Sequence, residues 1–204
     1  FITPDRGLTG GLNSNLVRAL DDFIVKQDVP VKIIGVGKKG IAYSRRNNLE
    51  LLGDFSGIGD RPQSKDTIKV ANLLIDKFNA GNVDSFFVGY SQFINTTLQK
   101  PIITRLLPIE PDQLNSSNKE YIYEPTAGEL LSNLLPRYVQ TLVHHSILEA
   151  NASEQSARMV AMNQATDNAN DMVDNLTLLM NKKRQESITN ELLDIVGGVS
   201  ALEG

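Results

Sequence analysis

The residues of this chain whose types and spacing could do chemistry begin with Gly35-Val36-Gly37-Lys38-Lys39-Gly40, a G-x-G-x-x-G run, with Asp54 19 residues beyond Gly35. In a dinucleotide-binding enzyme such glycines let backbone N–H groups approach a pyrophosphate at a helix N-terminus, while the acid takes the ribose hydroxyls. That defines one reading of the chain, an α/β enzyme using Gly35, Gly37, Gly40 and Asp54. The downstream spacing opposes it: eight residues, Ile41 to Asn48, precede the next strand candidate, whereas a crossover takes roughly a dozen or more. A tight strand-to-helix connection is the better reading. Gly7 to Gly11 resembles a phosphate loop only loosely and lacks the Gly-Lys-Ser/Thr ending that supplies charge and a magnesium ligand. His144 and His145 are adjacent on a helix and point about 100° apart, wrong for one metal. His145 and Glu149 share a face, a spacing that reads as a surface ion pair.

Other chemistry is excluded more simply. The chain has no cysteine, so disulfides, thiolate metal sites and cysteine catalysis are ruled out. No paired carboxylates and no nucleophile with its base are recognisable, so no catalytic residue, cofactor or metal is expected. Asn95, Asn115, Asn151 and Asn175 each begin a glycosylation pattern. Two of the four fall in a long helix, and all are read as chance. The net charge of -4 and pI near 5.2 argue against nucleic acid as the main partner. Lys182-Lys183-Arg184 is the one run of three basic residues. No run of 18 apolar residues exists, so no segment reads as a membrane-spanning helix.

The elements that must position these residues follow an α/β rhythm. Phe1 to Thr3 is β-prone, lacks an initiator Met and reads as the middle of a strand, so the chain is expected to begin partway into a longer protein. A helix with Leu16, Val17, Leu20, Phe23 and Ile24 at helical spacing follows, with Asn13 or Ser14 as its cap. Val31 to Val36 reads as a buried strand, Leu49 to Leu52 as another, and Ser56 to Ser64 as a loop. Thr67 to Phe78 is a second amphipathic helix. Ser85 to Tyr90 and Ile102 to Leu107 are strands too close for a helical crossover, which predicts antiparallel pairing. Asp112 to Lys119 is a polar loop, and Tyr121 to Tyr123 a last short strand.

From Glu129 to Val196 there is no glycine and one proline, Pro136. The 60 residues from Arg137 to Val196 would make a helix roughly 90 Å long, more than a compact domain of this size is wide. Along it Leu148, Ala152, Gln155, Met159, Met162, Thr166, Ala169, Val173, Leu176 and Met180 recur in steps of four and three. That period, about 3.5 residues, belongs to a coiled-coil seam. The chain offers no second segment of that length to cover it. From the residues alone it reads as a small α/β body with a partnerless long helix, a mechanical or adaptor protein.

Two long motifs then carry a specific resemblance. Ala152-Ser153-Glu154-Gln155-Ser156-Ala157-Arg158-Met159-Val160-Ala161-Met162, continuing to Ala169, and Asn181-Lys182-Lys183-Arg184-Gln185-Glu186-Ser187-Ile188-Thr189-Asn190-Glu191-Leu192 resemble the C-terminal signature of the ATP synthase gamma subunit. Asp5-Arg6-Gly7-Leu8-x-Gly, Phe93-Ile94-Asn95 and Tyr121-x-Tyr123-Glu124-Pro125 match the body of that family. The resemblance covers essentially the whole chain.

It implies a Rossmann-like α/β body over 1–125, the foot of a central stalk, and a shaft helix over 126–204 that is half of an antiparallel coiled coil. The other half would be the gamma N-terminal helix, which is expected to be absent from this chain because it starts at the body's first strand. Without it most of the long helix should fray in water, and torque should fall. The resemblance implies a non-catalytic rotor subunit that couples proton-driven rotation to ATP synthesis or hydrolysis in the CF(1) sector, with alpha and beta subunits, the epsilon subunit and the membrane c-ring as partners. It implies a peripheral membrane protein on the cytoplasmic face of the bacterial plasma membrane. Arg184, Gln185 and Thr189 would be gripped by a beta-subunit loop, with Lys182, Lys183 and Glu191 in the same contact region. Tyr121, Tyr123 and Glu124 would contact the foot's neighbours. Thr9 stands where many members have Cys, and no regulatory cysteine pair is present. Pro136 is expected to start a fresh helix or kink an existing one.

Overall fold

The computed structural model describes residues 1–109, Glu124 and residues 126–202. Its elements are α1 (Leu12–Val25), β1 (Lys32–Val36), α2 (Lys38–Arg46), β2 (Glu50–Phe55), α3 (Ser64–Asn79), β3 (Phe86–Phe93), β4 (Gln99–Leu107) and α4 (Ala127–Leu202). The mixed α/β body and long C-terminal helix agree with the fold class read from the sequence. The loop expected at Asp112 to Lys119 and the strand at Tyr121 to Tyr123 lie outside the described residues.

β1 pairs with β2 in parallel, and β3 with β4 antiparallel. The antiparallel pairing is the one that the short connection between Ser85–Tyr90 and Ile102–Leu107 required. Between the two pairs lies the segment Phe1 to Thr3. Its Phe1 nitrogen donates to the Ile34 carbonyl at 2.7 Å and its Thr3 N–H to the Val36 carbonyl at 2.8 Å, while Val36 N–H donates to the Phe1 carbonyl at 2.8 Å. Ile2 N–H donates to the Gly89 carbonyl at 2.9 Å on the other side. The β-prone start of the chain therefore joins β1 to β3.

Alternation along the strands puts helices on both faces. Ile34, Val36, Phe86 and Tyr90 point into the core with Val70, Ala71 and Leu74 of α3 and Val139, Val143 and Ile147 of α4. Of the residues between them, Gly35 packs under Ile41 of α2, and Phe87 meets Phe23 of α1 with ring centroids 4.9 Å apart. Leu12, Leu16 and Leu20 form the buried stripe of α1, one residue every turn as helical spacing demands.

Two local expectations are corrected and a third is narrowed. Asn13 and Ser14 do not cap α1: Gly11 is the cap residue, without a side-chain bond, and Leu12 is already helical. Gly10 at φ 55° turns the chain sharply enough that Leu12, itself buried, donates to the Thr9 carbonyl at 3.2 Å. β2 continues past Leu52 through Gly53, Asp54 and Phe55, because Ile34, Gly35 and Val36 offer it a pairing edge that turn-prone residues do not advertise. Pro136 does not start a new helix. α4 runs through it, and the N–H lost there would have served the carbonyl of the solvent-exposed Ser132, where water can take its place.

By packing, the chain divides into Phe1–Val160 and Ala161–Gly204. In the first unit α4 adds a stripe to the body core. In the second, nearly every side chain from Met162 to Val199 is exposed.

Candidate functional site

The G-x-G-x-x-G run sits at the expected place, on the turn from β1 into α2. What faces its N–H groups is the chain itself. Gly40 N–H donates to Thr3 Oγ1 at 2.7 Å, Lys38 N–H to Asp5 Oδ1 at 2.8 Å and Lys39 N–H to the Pro4 carbonyl at 3.2 Å. The other Asp5 oxygen accepts from Gly57 N–H at 2.9 Å. A carboxylate at a helix N-terminus is favoured by the same unpaired donors and dipole that favour a phosphate. A Cβ on Gly37, whose φ is 96°, would lie 1.8 Å from the Thr3 carbonyl oxygen, and one on Gly40 would lie 2.8 Å from the Phe1 ring. The glycines make room for residues 1–5. Asp54 pairs with Arg45 at 2.8 Å on an exposed surface. The dinucleotide-enzyme reading through Gly35, Gly37, Gly40 and Asp54 is corrected on this ground: the pyrophosphate position is filled by Thr3, Pro4 and Asp5.

A cavity of about 450 Å³ in the body is lined mostly by apolar side chains such as Phe1, Ile34, Phe86 and Leu106. No cluster of metal-ligating side chains occurs among the described residues. His144 Nδ1 lies 3.1 Å from Thr67 Oγ1, and His145 Nδ1 lies 3.7 Å from Glu149 Oε2 at the expected i, i+4 spacing, with His145 exposed and Glu149 largely covered.

Two stripes run along α4. Val139, Val143, Ser146, Ala150, Ser153 and Ala157 turn toward the body in steps of four and three. At about 100° per residue, the stripe from Leu148 through Ala152, Gln155, Met159 and Met162 lies on the opposite side of the same helix. Leu148 is 42% exposed, Met162 45% and Leu176 57%, whereas Ile147 is 5% exposed. The sequence reading found the second stripe and missed the first, although its spacing is equally regular. Its small members, Ala150, Ser153 and Ala157, were the only signal of close approach to another surface. No second helix covers the exposed stripe among the described residues.

All six residues of the candidate contact region, Lys182, Lys183, Arg184, Gln185, Thr189 and Glu191, are exposed on α4. By helical phase, Lys182, Gln185 and Thr189 share one side, Arg184 and Glu191 lie on the other, and Lys183 falls between. Lys183 pairs with Glu186 at 2.8 Å, Thr189 Oγ1 donates to the Gln185 carbonyl at 2.9 Å, and Ser187 Oγ donates to Glu191 at 3.4 Å. Glu124 is exposed, and Tyr121 and Tyr123 lie outside the described residues.

A glycine turn satisfied from within and a helix with a long uncovered apolar stripe define a protein that works by contact, with no catalytic constellation among the described residues. The sequence matches the family described as ATP synthase over residues 1–202. It is 50% identical over 202 residues to the ATP synthase gamma chain of Dehalococcoides mccartyi (strain CBDB1), covering 98% of this chain and 71% of that one. It is 44% identical over 204 residues to the gamma chain of Desulfitobacterium hafniense, covering 100% and 72%. In fold it is similar to a chain of the Euglena gracilis mitochondrial ATP synthase, with a TM-score of 0.74 at 24% identity over 98% of this chain and 71% of that one. It is also similar to one from the Tetrahymena thermophila central stalk and c-ring, with a TM-score of 0.64 at 22% identity over 81% and 74%. The chain belongs to the ATP synthase gamma-chain family, whose members form the non-catalytic central stalk of that enzyme.

Proposed function

We propose that this chain is the foot and shaft of a bacterial ATP synthase rotor, carrying torque between the membrane c-ring and a head of alpha and beta subunits. Residues 1–125 form the foot, and residues 126–204 the shaft. The observation that carries this reading is the apolar stripe on α4 from Leu148 to Met180, whose large members are exposed. An apolar stripe of that length favours association with a helix of similar length, and the gamma N-terminal helix, wound antiparallel, is the natural occupant.

Within the head, Arg184, Gln185 and Thr189 are gripped by a beta-subunit loop. Their exposure on α4 supports this, as does the basic charge of Lys182 and Lys183, which suits an acidic surface. Glu191 completes the contact region. Tyr121, Tyr123 and Glu124 meet the epsilon subunit and the c-ring. The protein is held peripherally at the cytoplasmic face of the plasma membrane through these partners. No helix among the described residues is long and apolar enough to cross a membrane.

The test is ATP hydrolysis by the purified alpha-beta-gamma complex, compared with complexes carrying Arg184→Ala and Gln185→Ala. A charge-assisted contact is worth about 1.5–3 kcal/mol, so turnover should fall roughly tenfold or more for Arg184→Ala. Full turnover in both variants would remove the grip from these residues.

A further inference from the structure

The body-facing stripe of α4 changes character along its length. From Val139 to Ile147 it carries large apolar side chains locked into the core, Val139, Val143 and Ile147, with Ser146 the one small buried residue among them. At Ala150, Ser153 and Ala157 it consists of small ones. Small side chains allow close approach but form no knob, and an apolar contact is non-directional. They do little to stop the helix rolling through small angles about its own axis. Ser153, fully buried in that stretch, makes no side-chain hydrogen bond among the described residues.

At the same turns, polar side chains on both edges of the stripe reach out and hold the body. On one edge Asn151 Nδ2 donates to the Asp60 carbonyl at 2.6 Å. On the other, Glu149 accepts from the Tyr90 hydroxyl at 2.9 Å, and Ser156 Oγ donates to the Thr96 carbonyl at 2.8 Å. The acceptors and donors come from three different places: the loop before α3, the middle of β3 and the turn between β3 and β4. By phase, Asn151 stands about 160° around the helix from Glu149. Rolling α4 either way lengthens at least one of these bonds.

We propose that Glu149, Asn151 and Ser156 are positioning residues that fix the rotational phase of α4 on the body, so that torque in the helix turns the body without a lag. The inference rests on the rotor reading. The Asn151 and Ser156 bonds are exposed and exchange with water, while the Tyr90–Glu149 bond is partly buried. Together they set the stiffness of the joint against small rotations.

The experiment uses the holoenzyme containing this sequence, with its head fixed to a surface. The chain has no cysteine, so Asp22→Cys on the exposed side of α1 gives a single labelling site for a bead. The altered form carries Tyr90→Phe, Asn151→Ala and Ser156→Ala, which keep the aromatic packing and raise helix propensity, so folding is preserved. The expected result is an angular variance of the resting bead about twofold larger, with the rate of ATP hydrolysis unchanged. A matched control, Leu16→Val in α1, lowers stability without touching the three bonds and should leave the variance as it was. An unchanged variance in the triple variant, or an equal broadening in the control, overturns the proposal. Failure of the unaltered bead to turn in ATP would instead overturn the rotor reading, and the proposal with it.

Discussion

Gly37 shows how the same residues serve two chemistries. A G-x-G-x-x-G turn exposes N–H groups at a helix start, and any anion or carbonyl that reaches them will bind. Here the ligands are Thr3, Pro4 and Asp5, more than 30 positions earlier. Local pattern identified the turn and the helix after it, but the contact that fills it is long-range and has no local signature. Gly37→Ala should cost roughly 2–4 kcal/mol, from positive φ and from the clash with Thr3, as read by urea unfolding. Gly59→Ala has φ 81° but open space around the new Cβ, and should cost about 1 kcal/mol. Equal costs at the two sites would contradict the filled-turn account.

Tyr90 behaves differently because it is ionisable. Burial, then its hydrogen bond to Glu149 and the charge of that carboxylate, push its hydroxyl up to about 12. A phenol whose folded value lies above its unfolded one adds stability that is present below about pH 10 and is lost as pH rises through about 12. The bond should therefore be intact from pH 6 to about 9, and the stability difference between the native chain and Tyr90→Phe should stay constant over that range. A difference that changed there would show that Tyr90 is not the donor.

At the scale of elements, α4 was legible in part. The absence of glycine, the single proline and the steps of four and three identified its length and its exposed stripe. The opposite stripe was missed because Ser146, Ser153 and Ala157 carry little hydrophobic signal, while their burial depends on a body folded elsewhere in the chain. The two stripes make opposite predictions in the chain by itself. Ile147→Ala removes a buried side chain and should cost about 2–4 kcal/mol, whereas Leu176→Ala should change stability by less than about 0.5 kcal/mol. In the assembled enzyme Leu176→Ala should weaken retention of the chain in the complex. Comparable destabilisation of the isolated chain by both changes would mean that the Leu176 side is already covered.

For the molecule as a whole, the body core and the exposed helix should differ in protection. Amides from Val139 to Ala157 are held by the core, so their hydrogen exchange in the isolated chain should be slow. Those from Met162 to Val199 lack packing and should exchange faster by a factor of about 10² or more. The α/β rhythm and the two C-terminal motifs made the family readable in the sequence. The joining of β1 to β3 by Phe1 to Thr3 could not be read, since each of its bonds spans more than 30 residues.

The most direct measurement of the rotor account is single-molecule rotation: the alpha-beta head of the holoenzyme fixed to glass, a fluorophore on Asp22→Cys, and ATP supplied. The account predicts stepwise turning in one direction that stops when ATP is removed. A complex that assembles and hydrolyses ATP while the labelled body stays still would contradict it.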